Sequence, residues 1–193
     1  MRYLVAVLVV LLAACAEPAL SPNPTRSPTP SATATIPSRD FTDIVVAPEA
    51  APPGTTYNGT GQGRPVLTEV VVSGRDAQFL ALPGFVDGRY NTFSGEGGAL
   101  LSLALRFDTV QHSEQAFDLF LEEFGSADGY GLDSDAPAGL GDEGTCAEGP
   151  VPTPLGEEAI CLWRNGTLVL IAGGAMDADD MHAIAEGMDA RAR

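Results

Sequence analysis

The chain has 193 residues and a formal net charge of −16 at neutral pH, and all ten of its basic residues are arginine. Phosphate repels a surface this acidic, which excludes nucleic acid as a partner. Anionic lipid headgroups repel it as well, so charge alone gives the protein no reason to lie on a membrane. Residues 40–193 are long enough for one domain of ordinary size with its own core.

The amino terminus has the three-part layout of an export signal. Arg2 supplies one positive charge, residues 3–12 are apolar, and the small residues Ala13 and Ala14 precede Cys15. A transmembrane anchor is the alternative, but a spanning helix needs about 20 apolar residues and this run is shorter. The sequence therefore predicts a signal peptide over residues 1–14 that is cleaved before Cys15.

The four residues Leu12-Ala13-Ala14-Cys15 resemble a bacterial lipobox. The resemblance implies that Cys15 becomes the first residue of the mature protein and carries a diacylglyceryl group, with acyl chains such as palmitate. Several acyl chains hold a protein on a bilayer far more firmly than one. We therefore expect a lipid-anchored protein on the extracytoplasmic side of a cell membrane; the sequence leaves open whether that membrane is the inner or the outer one.

Residues 15–39 form a separate region of biased composition. They are rich in Pro, Ser and Thr and contain few large apolar side chains, so they cannot bury a core. Proline favours extended backbone. The sequence therefore predicts a disordered linker that spaces the domain from the membrane, and it leaves open whether the linker is glycosylated.

The first half of the domain has mixed signals. The apolar run Ile44-Val45-Val46 predicts a strand over residues 41–47, and the Pro and Gly content of residues 48–64 predicts a loop. Pro65 followed by apolar residues at helical spacing favours a helix, although strand is the alternative. A second short helix is predicted over residues 76–82, ahead of Pro83.

The middle of the domain is clearer. Residues 89–93 are a candidate strand, and residues 101–107 alternate apolar and polar side chains with the period of two that indicates a half-buried strand. Phe117, Phe120 and other apolar residues then recur at helical spacing up to Gly125. This pattern predicts an amphipathic helix over residues 110–124 that packs on the sheet.

A hairpin is the strongest local prediction. Residues 159–164 and 167–172 are apolar, and they flank Asn165-Gly166, a favoured pair for a two-residue type I′ turn. That turn pairs Leu162 with Val169. Because both faces of the two segments are mostly apolar, we expect central strands that are covered on both sides.

A terminal helix follows, with a buried face of Met181, Ile184, Ala185 and Met188 and with acidic residues at its start. Taken together, the predicted elements favour a single α+β domain over residues 40–193. We expect an antiparallel sheet of about four to six strands packed with about three to four helices.

Two cysteines remain once Cys15 is assigned to the lipid. Cys146 and Cys161 form an even pair in an extracytoplasmic compartment, which predicts a disulfide bond. A redox-active pair and a metal site are the alternatives, but the two residues are not in a Cys-x-x-Cys motif and no histidine stands nearby. The predicted role is therefore structural.

The only two histidines are His112 and His182. Neither stands at a spacing that recurs in catalytic or metal-binding motifs, which favours solvated or helix-end roles. A histidine brought close to a serine or an aspartate by the fold would instead suggest a hydrolase. No residue is predicted to be catalytic.

Two groups of acidic residues could take calcium in principle, but neither matches an EF-hand loop, and solubility and helix capping explain both. We predict no metal and no other cofactor. The two groups are Asp128, Asp133 and Asp135, and Asp177, Asp179 and Asp180.

Three short segments resemble a pattern in exported bacterial lipoproteins of uncharacterised function. They are Gly139-Leu140-Gly141-Asp142-Glu143, Leu162-Trp163-Arg164-Asn165-Gly166 and residues 184–191. The resemblance implies a small extracytoplasmic domain and assigns no role to any residue.

Three functions are compatible with these predictions. The first is a non-enzymatic envelope lipoprotein whose domain binds or senses a protein or a small ligand. The second is an extracytoplasmic hydrolase that uses His112 or His182, and the third is a purely structural lipoprotein. A concave pocket with convergent polar groups would favour the first, and a histidine bonded to a hydroxyl and a carboxylate would favour the second.

Overall fold

The computed structural model describes residues 41–63, 82–125, 132, 138–149 and 158–193, all within one compact unit, Pro37–Arg193. The predicted signal peptide, Cys15 and the linker lie outside the described residues. So do the helix predicted from Pro65 and all but the last residue of the helix predicted over residues 76–82. That last residue, Leu82, is buried and is not helical.

A single six-stranded sheet forms the centre of the described structure. Every neighbouring pair of strands is antiparallel, and the spatial order is β1-β2-β3-β6-β5-β4. The strands are β1 (Thr55–Gln62), β2 (Phe85–Gly95), β3 (Gly98–Phe107), β4 (Glu143–Glu148), β5 (Glu158–Asn165) and β6 (Leu168–Ala175).

One α-helix packs on each face of the sheet. Helix α1 (Val110–Gly125) buries Phe117 and Phe120 against one face, where the predicted stripe of apolar residues places them. Helix α2 (Ala178–Ala192) buries Met181 and Met188 against the other face. Both predicted helices are therefore confirmed, and the sheet separates two apolar cores.

The predicted α+β fold with three to four packed helices is wrong. The described residues contain two α-helices and two three-residue 3-10 helices, Phe41–Asp43 and Pro48–Ala50. The structure is mostly an antiparallel sheet, because polar and glycine-rich segments that gave no clear strand signal also pair in it. The clearest example is β1, which lies in the stretch predicted to be a loop.

The strand predicted over residues 41–47 is also wrong. Ile44, Val45 and Val46 are buried, but they lie against the core on the α2 face and do not pair in the sheet. We call residues 41–51 the covering segment. Burial explains the apolar run here, whereas the prediction attributed it to strand pairing.

The β5–β6 hairpin is confirmed, but its predicted register is wrong by two residues. Leu162 pairs with Ile171, and Asn165 pairs with Leu168 as the last pair before the turn. The two-residue turn is therefore Gly166-Thr167, with Gly166 at a φ of 57°. A two-residue hairpin turn can also place Gly at its first central position, which shifts the turn by one residue along the chain.

Candidate functional site

A cleft of about 470 Å³ lies between the covering segment, β2 and α2. This volume falls within the range of small-molecule sites in proteins, roughly 300 to 1,000 Å³. A second hollow, of about 190 Å³, lies beside Cys146 and Cys161 and is lined mostly by small and apolar residues. The larger cleft has the more varied polar lining and is the candidate site.

Arg89 lines this cleft and has no acidic partner among the residues that the structure describes. Its Nη1 donates to Thr42 Oγ1 at 3.4 Å, and its Nε is buried without an acceptor. The other described arginines outside the cleft each form an ion pair with at least one carboxylate, namely Arg106, Arg164 and Arg193. In a chain this acidic, Arg89 is therefore exceptional.

Asn91 stands two residues along β2 from Arg89, so both side chains project from the same face of the sheet. Asn91 is 1% exposed. Its Nδ2 donates to the Val46 carbonyl at 2.8 Å, but its Oδ1 is buried with no donor. The cleft thus has one buried donor and one buried acceptor without partners, although more than 90% of buried polar groups in proteins are paired.

Arg191 lies on the α2 side of the same cleft. It donates from Nε and Nη2 to the Ile44 carbonyl at 3.2 and 3.0 Å, which ties the covering segment to the helix. Burial lowers the pKa of the Arg191 guanidinium from its usual value, because desolvation disfavours the charged form. A negative charge in the cleft would offset that cost.

Hydrogen bonds from side chains, and not pairing in the sheet, hold the covering segment in place. Asn91 and Arg191 bond its carbonyl groups, and Ser102 Oγ accepts from the Val46 amide at 3.2 Å. Asp43 and Glu49 are exposed residues of the same segment and line the cleft. The cleft therefore combines arginine side chains with carboxylates, and its remaining walls are mostly apolar.

The imidazole of His112 contacts a carboxylate, and the Thr109 hydroxyl accepts from the His112 amide at 3.2 Å. Its Nδ1 lies 2.5 Å from Asp108 Oδ1. The adjacent Ser113 hydroxyl hydrogen-bonds to the carbonyl oxygens of Val110 and Gly166, at 2.7 Å each. Among the described residues, His112 and Asp108 therefore form a His–Asp pair, and the Ser113 hydroxyl is bonded to backbone carbonyl groups and not to the imidazole.

The contact made by His182 is with the backbone. Its Nε2 lies 3.0 Å from the Ala138 carbonyl oxygen, which joins α2 to the residues just before β4. The two histidines are on helices that pack on opposite faces of the sheet, so the fold does not bring them together.

The predicted disulfide bond between Cys146 and Cys161 is present. The two residues are direct partners in the β4–β5 pair, with their Cα atoms 4.1 Å apart. The bond therefore fixes β4, an edge strand of the described sheet, to the central strand β5.

The acidic residues at the start of α2 cap the helix. Asp177 is the N-cap residue, and its Oδ1 accepts from the Asp179 amide at 2.9 Å. Within the described ranges, no group of three or more His, Cys, Asp or Glu side chains could hold a metal ion. Asp128, Asp133 and Asp135 lie outside the described residues.

Two of the three lipoprotein-like segments meet in the structure. Asp142 and Glu143 from the first segment bond the guanidinium of Arg164 from the second, and Glu114 of α1 contacts the same guanidinium. Because Arg164 is 8% exposed and its donors face these carboxylates, the two segments form a structural cluster. The third segment contributes Ile184, Gly187 and Arg191 to the cleft.

Arg89 and Asn91 belong to no sequence motif, and Arg191 is the last residue of the third lipoprotein-like segment, to which the sequence assigns no role. Arg89 and Asn91 are on β2, and Arg191 is about 100 residues further along the chain. The one signal available in the sequence is the polar Asn91 at a core position of its strand, two residues before the buried Phe93. That signal identifies a buried polar group, but not the cleft around it.

Comparisons with known proteins give a weak likeness to a solved structure. No protein-family model matches the chain, and no curated protein matches it. Among solved structures, it is similar to the extracellular domain of PknH from Mycobacterium tuberculosis, at 7% sequence identity and a TM-score of 0.42. The match covers 72% of this chain and 84% of that one. A likeness this weak carries no conclusion about function.

Neither α1 nor α2 has the length and apolar composition that crossing a membrane requires, and no other helix of the described residues does.

Proposed function

We propose that the chain is a lipid-anchored extracytoplasmic lipoprotein of the cell envelope, and that its domain binds a small ligand in the cleft between the covering segment, β2 and α2. The anchor part of the proposal rests on the lipobox-like residues that end at Cys15. The Cys146–Cys161 disulfide agrees with an extracytoplasmic location, because such bonds persist in oxidising compartments.

One observation carries the binding part. Arg89 Nε and Asn91 Oδ1 are a buried donor and a buried acceptor without partners, on one face of β2 and in one cleft. An unpaired buried polar group costs about 1–3 kcal/mol. A ligand that pairs with both atoms removes that cost, and this is a source of binding energy that a purely structural role would not need.

A cleft-filling variant tests the binding function. A Cβ built at Gly187 would meet only Arg191 Nη1, at 3.5 Å, which is an ordinary contact. Gly187→Leu therefore fills the cleft without a clash against the backbone. Leucine also favours a helix over glycine, by roughly 0.5–1 kcal/mol, so the variant should fold.

The measurement is a thermal-shift screen of the full chain in detergent against a chemically varied set of small molecules. We expect at least one compound to raise the Tm of the wild type and not that of Gly187→Leu. Ala190→Leu, at an exposed position of the same helix, is the matched control and should respond like the wild type. Equal responses of all three proteins to every compound would contradict the proposal.

A further inference from the structure

We propose that the ligand of this cleft is a small zwitterion, with a carboxylate held by Arg89 and an ammonium group held by Asn91 Oδ1. An amino acid or a dipeptide has this chemistry. The inference rests on the proposed binding function and names its ligand class.

The carboxylate follows from Arg89. A guanidinium binds a planar carboxylate through two parallel hydrogen bonds, and such charge-assisted bonds are about twice as strong as neutral ones. The Nε of Arg89 lacks an acceptor, and its Nη1 makes a long contact, 3.4 Å, to Thr42 within the described part of the chain. Arg191 adds positive charge on the opposite wall.

The donor group follows from Asn91. Because Nδ2 is already bonded to Val46, the free Oδ1 can only accept, so the ligand must supply a hydrogen-bond donor there. Residues two apart on a strand are separated by about 6.5 Å. The ligand therefore carries its donor and its acceptor a short distance apart.

The rim of the cleft distinguishes a zwitterion from a multiply charged anion. Asp43 and Glu49 line the cleft together with the two arginines, so ionised side chains of both signs are present. A phosphate monoester carries about −1.5 to −2 charges and would be repelled by these carboxylates. An ammonium group would be attracted to them.

Binding must widen the cleft. Neither Arg89 Nε nor Asn91 Oδ1 has solvent-accessible surface in this structure, so a ligand reaches them only after a wall moves. The covering segment is the wall that can move without breaking the sheet, because side-chain hydrogen bonds and apolar packing hold it, whereas β2 is paired on both sides. Hydrogen exchange of residues 42–50 should therefore change when the ligand binds.

Calorimetric titration of the full chain in detergent tests the ligand class. The probes are L-leucine and L-alanyl-L-alanine, each also in a carboxyl-amidated and an N-acetylated form, together with inorganic phosphate. We expect saturable binding of at least one free zwitterion. Blocking either end should weaken binding roughly tenfold or more, the loss expected for a charge-assisted hydrogen bond.

Arg89→Gln should weaken binding of that zwitterion by a similar factor. Arg193→Gln removes the same charge from a residue that does not line the cleft and should leave the affinity unchanged. A Tm of each variant close to that of the wild type shows that the comparison is between folded proteins. Arg89→Lys, which keeps the charge without the planar fork, should recover only part of the affinity.

Three outcomes overturn the ligand class. They are no saturable binding of either free zwitterion, equal affinity for the blocked forms, and equal affinity of Arg89→Gln and the wild type. If the screen with Gly187→Leu has identified a ligand of another class, the binding function stands and only the zwitterion is excluded. If that screen finds no ligand, both proposals fail.

Discussion

Arg164 donates from Nε to Glu143 Oε1 at 2.5 Å, directly across the β4–β5 pair. The same guanidinium contacts Asp142 and Glu114, so a single buried cation attracts carboxylates from α1, from β4 and from the residue before β4. This contact joins the edge of the sheet to the helix on one of its faces.

Arg164→Gln should destabilise the protein. The arginine side chain is 10% exposed, but the three carboxylates are 42–52% exposed and water can partly replace their partner. We therefore expect a loss of about 2 kcal/mol, between the values for exposed and fully buried pairs. Urea denaturation measures it.

Arg106→Gln is the matched control for that variant. Arg106 lies 3.9 Å from Asp87, and its guanidinium lies over the ring of Phe41. Both partners of the ion pair are partly exposed, while the Phe41 ring is buried, so the loss should be about 1 kcal/mol. A smaller loss for Arg164→Gln than for Arg106→Gln would show that the Arg164 cluster is not a main source of stability.

Gly141 and Gly139 form a second matched pair. Both have positive φ, 56° and 74°, but a Cβ at 141 would lie 2.1 Å from the Arg164 carbonyl oxygen, whereas a Cβ at 139 meets nothing within 4 Å. Gly139→Ala should cost about 1 kcal/mol, the penalty for left-handed backbone. Gly141→Ala should cost about 2–4 kcal/mol, because the turn must also move. If chemical denaturation gives equal losses of stability for the two variants, the close approach of Gly141 to the Arg164 carbonyl does not affect stability.

Removing the disulfide should lower stability. The two cysteines are separated by 15 residues, and closing such a loop contributes about 3 kcal/mol in the chain-entropy model. The double variant Cys146→Ala, Cys161→Ala should therefore unfold at lower urea concentration than the wild type. A reductant should shift the wild type in the same direction and leave the double variant unchanged. Two free thiols at these positions in oxidised, folded protein would disprove the bond.

Acylation at Cys15 is a prediction from the sequence. Cells that express the chain and are fed an alkyne analogue of palmitate should incorporate it into the wild type. Cys15→Ala should remove the label, because the predicted acceptor thiol is gone. The double variant at Cys146 and Cys161 should keep the label. Label that persists in Cys15→Ala would refute the lipobox interpretation.

The Asp108–His112 contact predicts a pH dependence of stability. The hydrogen bond from His112 holds the pKa of the Asp108 carboxyl below its usual value. A carboxyl group with a lowered pKa in the folded state contributes stability above its unfolded pKa, about 3.9, and loses it as the pH falls through the folded pKa.

Asp108→Asn should therefore be less stable than the wild type at neutral pH, and the difference should shrink below about pH 4. Asp118→Asn, an exposed change on α1, is the control and should show little such trend. Urea denaturation at a series of pH values measures both. A difference that is constant over the whole range would exclude the contact as its cause.

Sequence patterns predicted the elements whose burial is periodic. Helix α1 has a stripe of phenylalanines and follows from local spacing. The strand predicted over residues 101–107 is present within β3, but the prediction that it is half-buried is wrong, because Ser102 and Ala104 are buried on one face as fully as Leu103 and Leu105 are on the other. Strand β1 was missed because it is a largely exposed edge strand of Thr, Gly, Asn and Gln, with no apolar alternation. Its pairing with β2 depends on tertiary contacts, which the local sequence does not encode.

The disulfide could be predicted from the sequence, whereas the candidate cleft could not. Cys146 and Cys161 could be paired by counting, because only three cysteines exist and one stands in the lipobox. The cleft could not be predicted, since it combines the covering segment with Arg89 and Arg191 from two distant elements. The apolar run Ile44-Val45-Val46 predicts a strand, and only the packed structure shows that Val45 and Val46 line a cleft.

The position of the covering segment has a mechanical consequence. It precedes β1 in the chain, and side-chain contacts from β2, β3 and α2 hold it in place. A pulling force on the chain before Phe41 would therefore load this segment before it reaches any strand. Tension on the chain and a ligand in the cleft would then act on the same few hydrogen bonds.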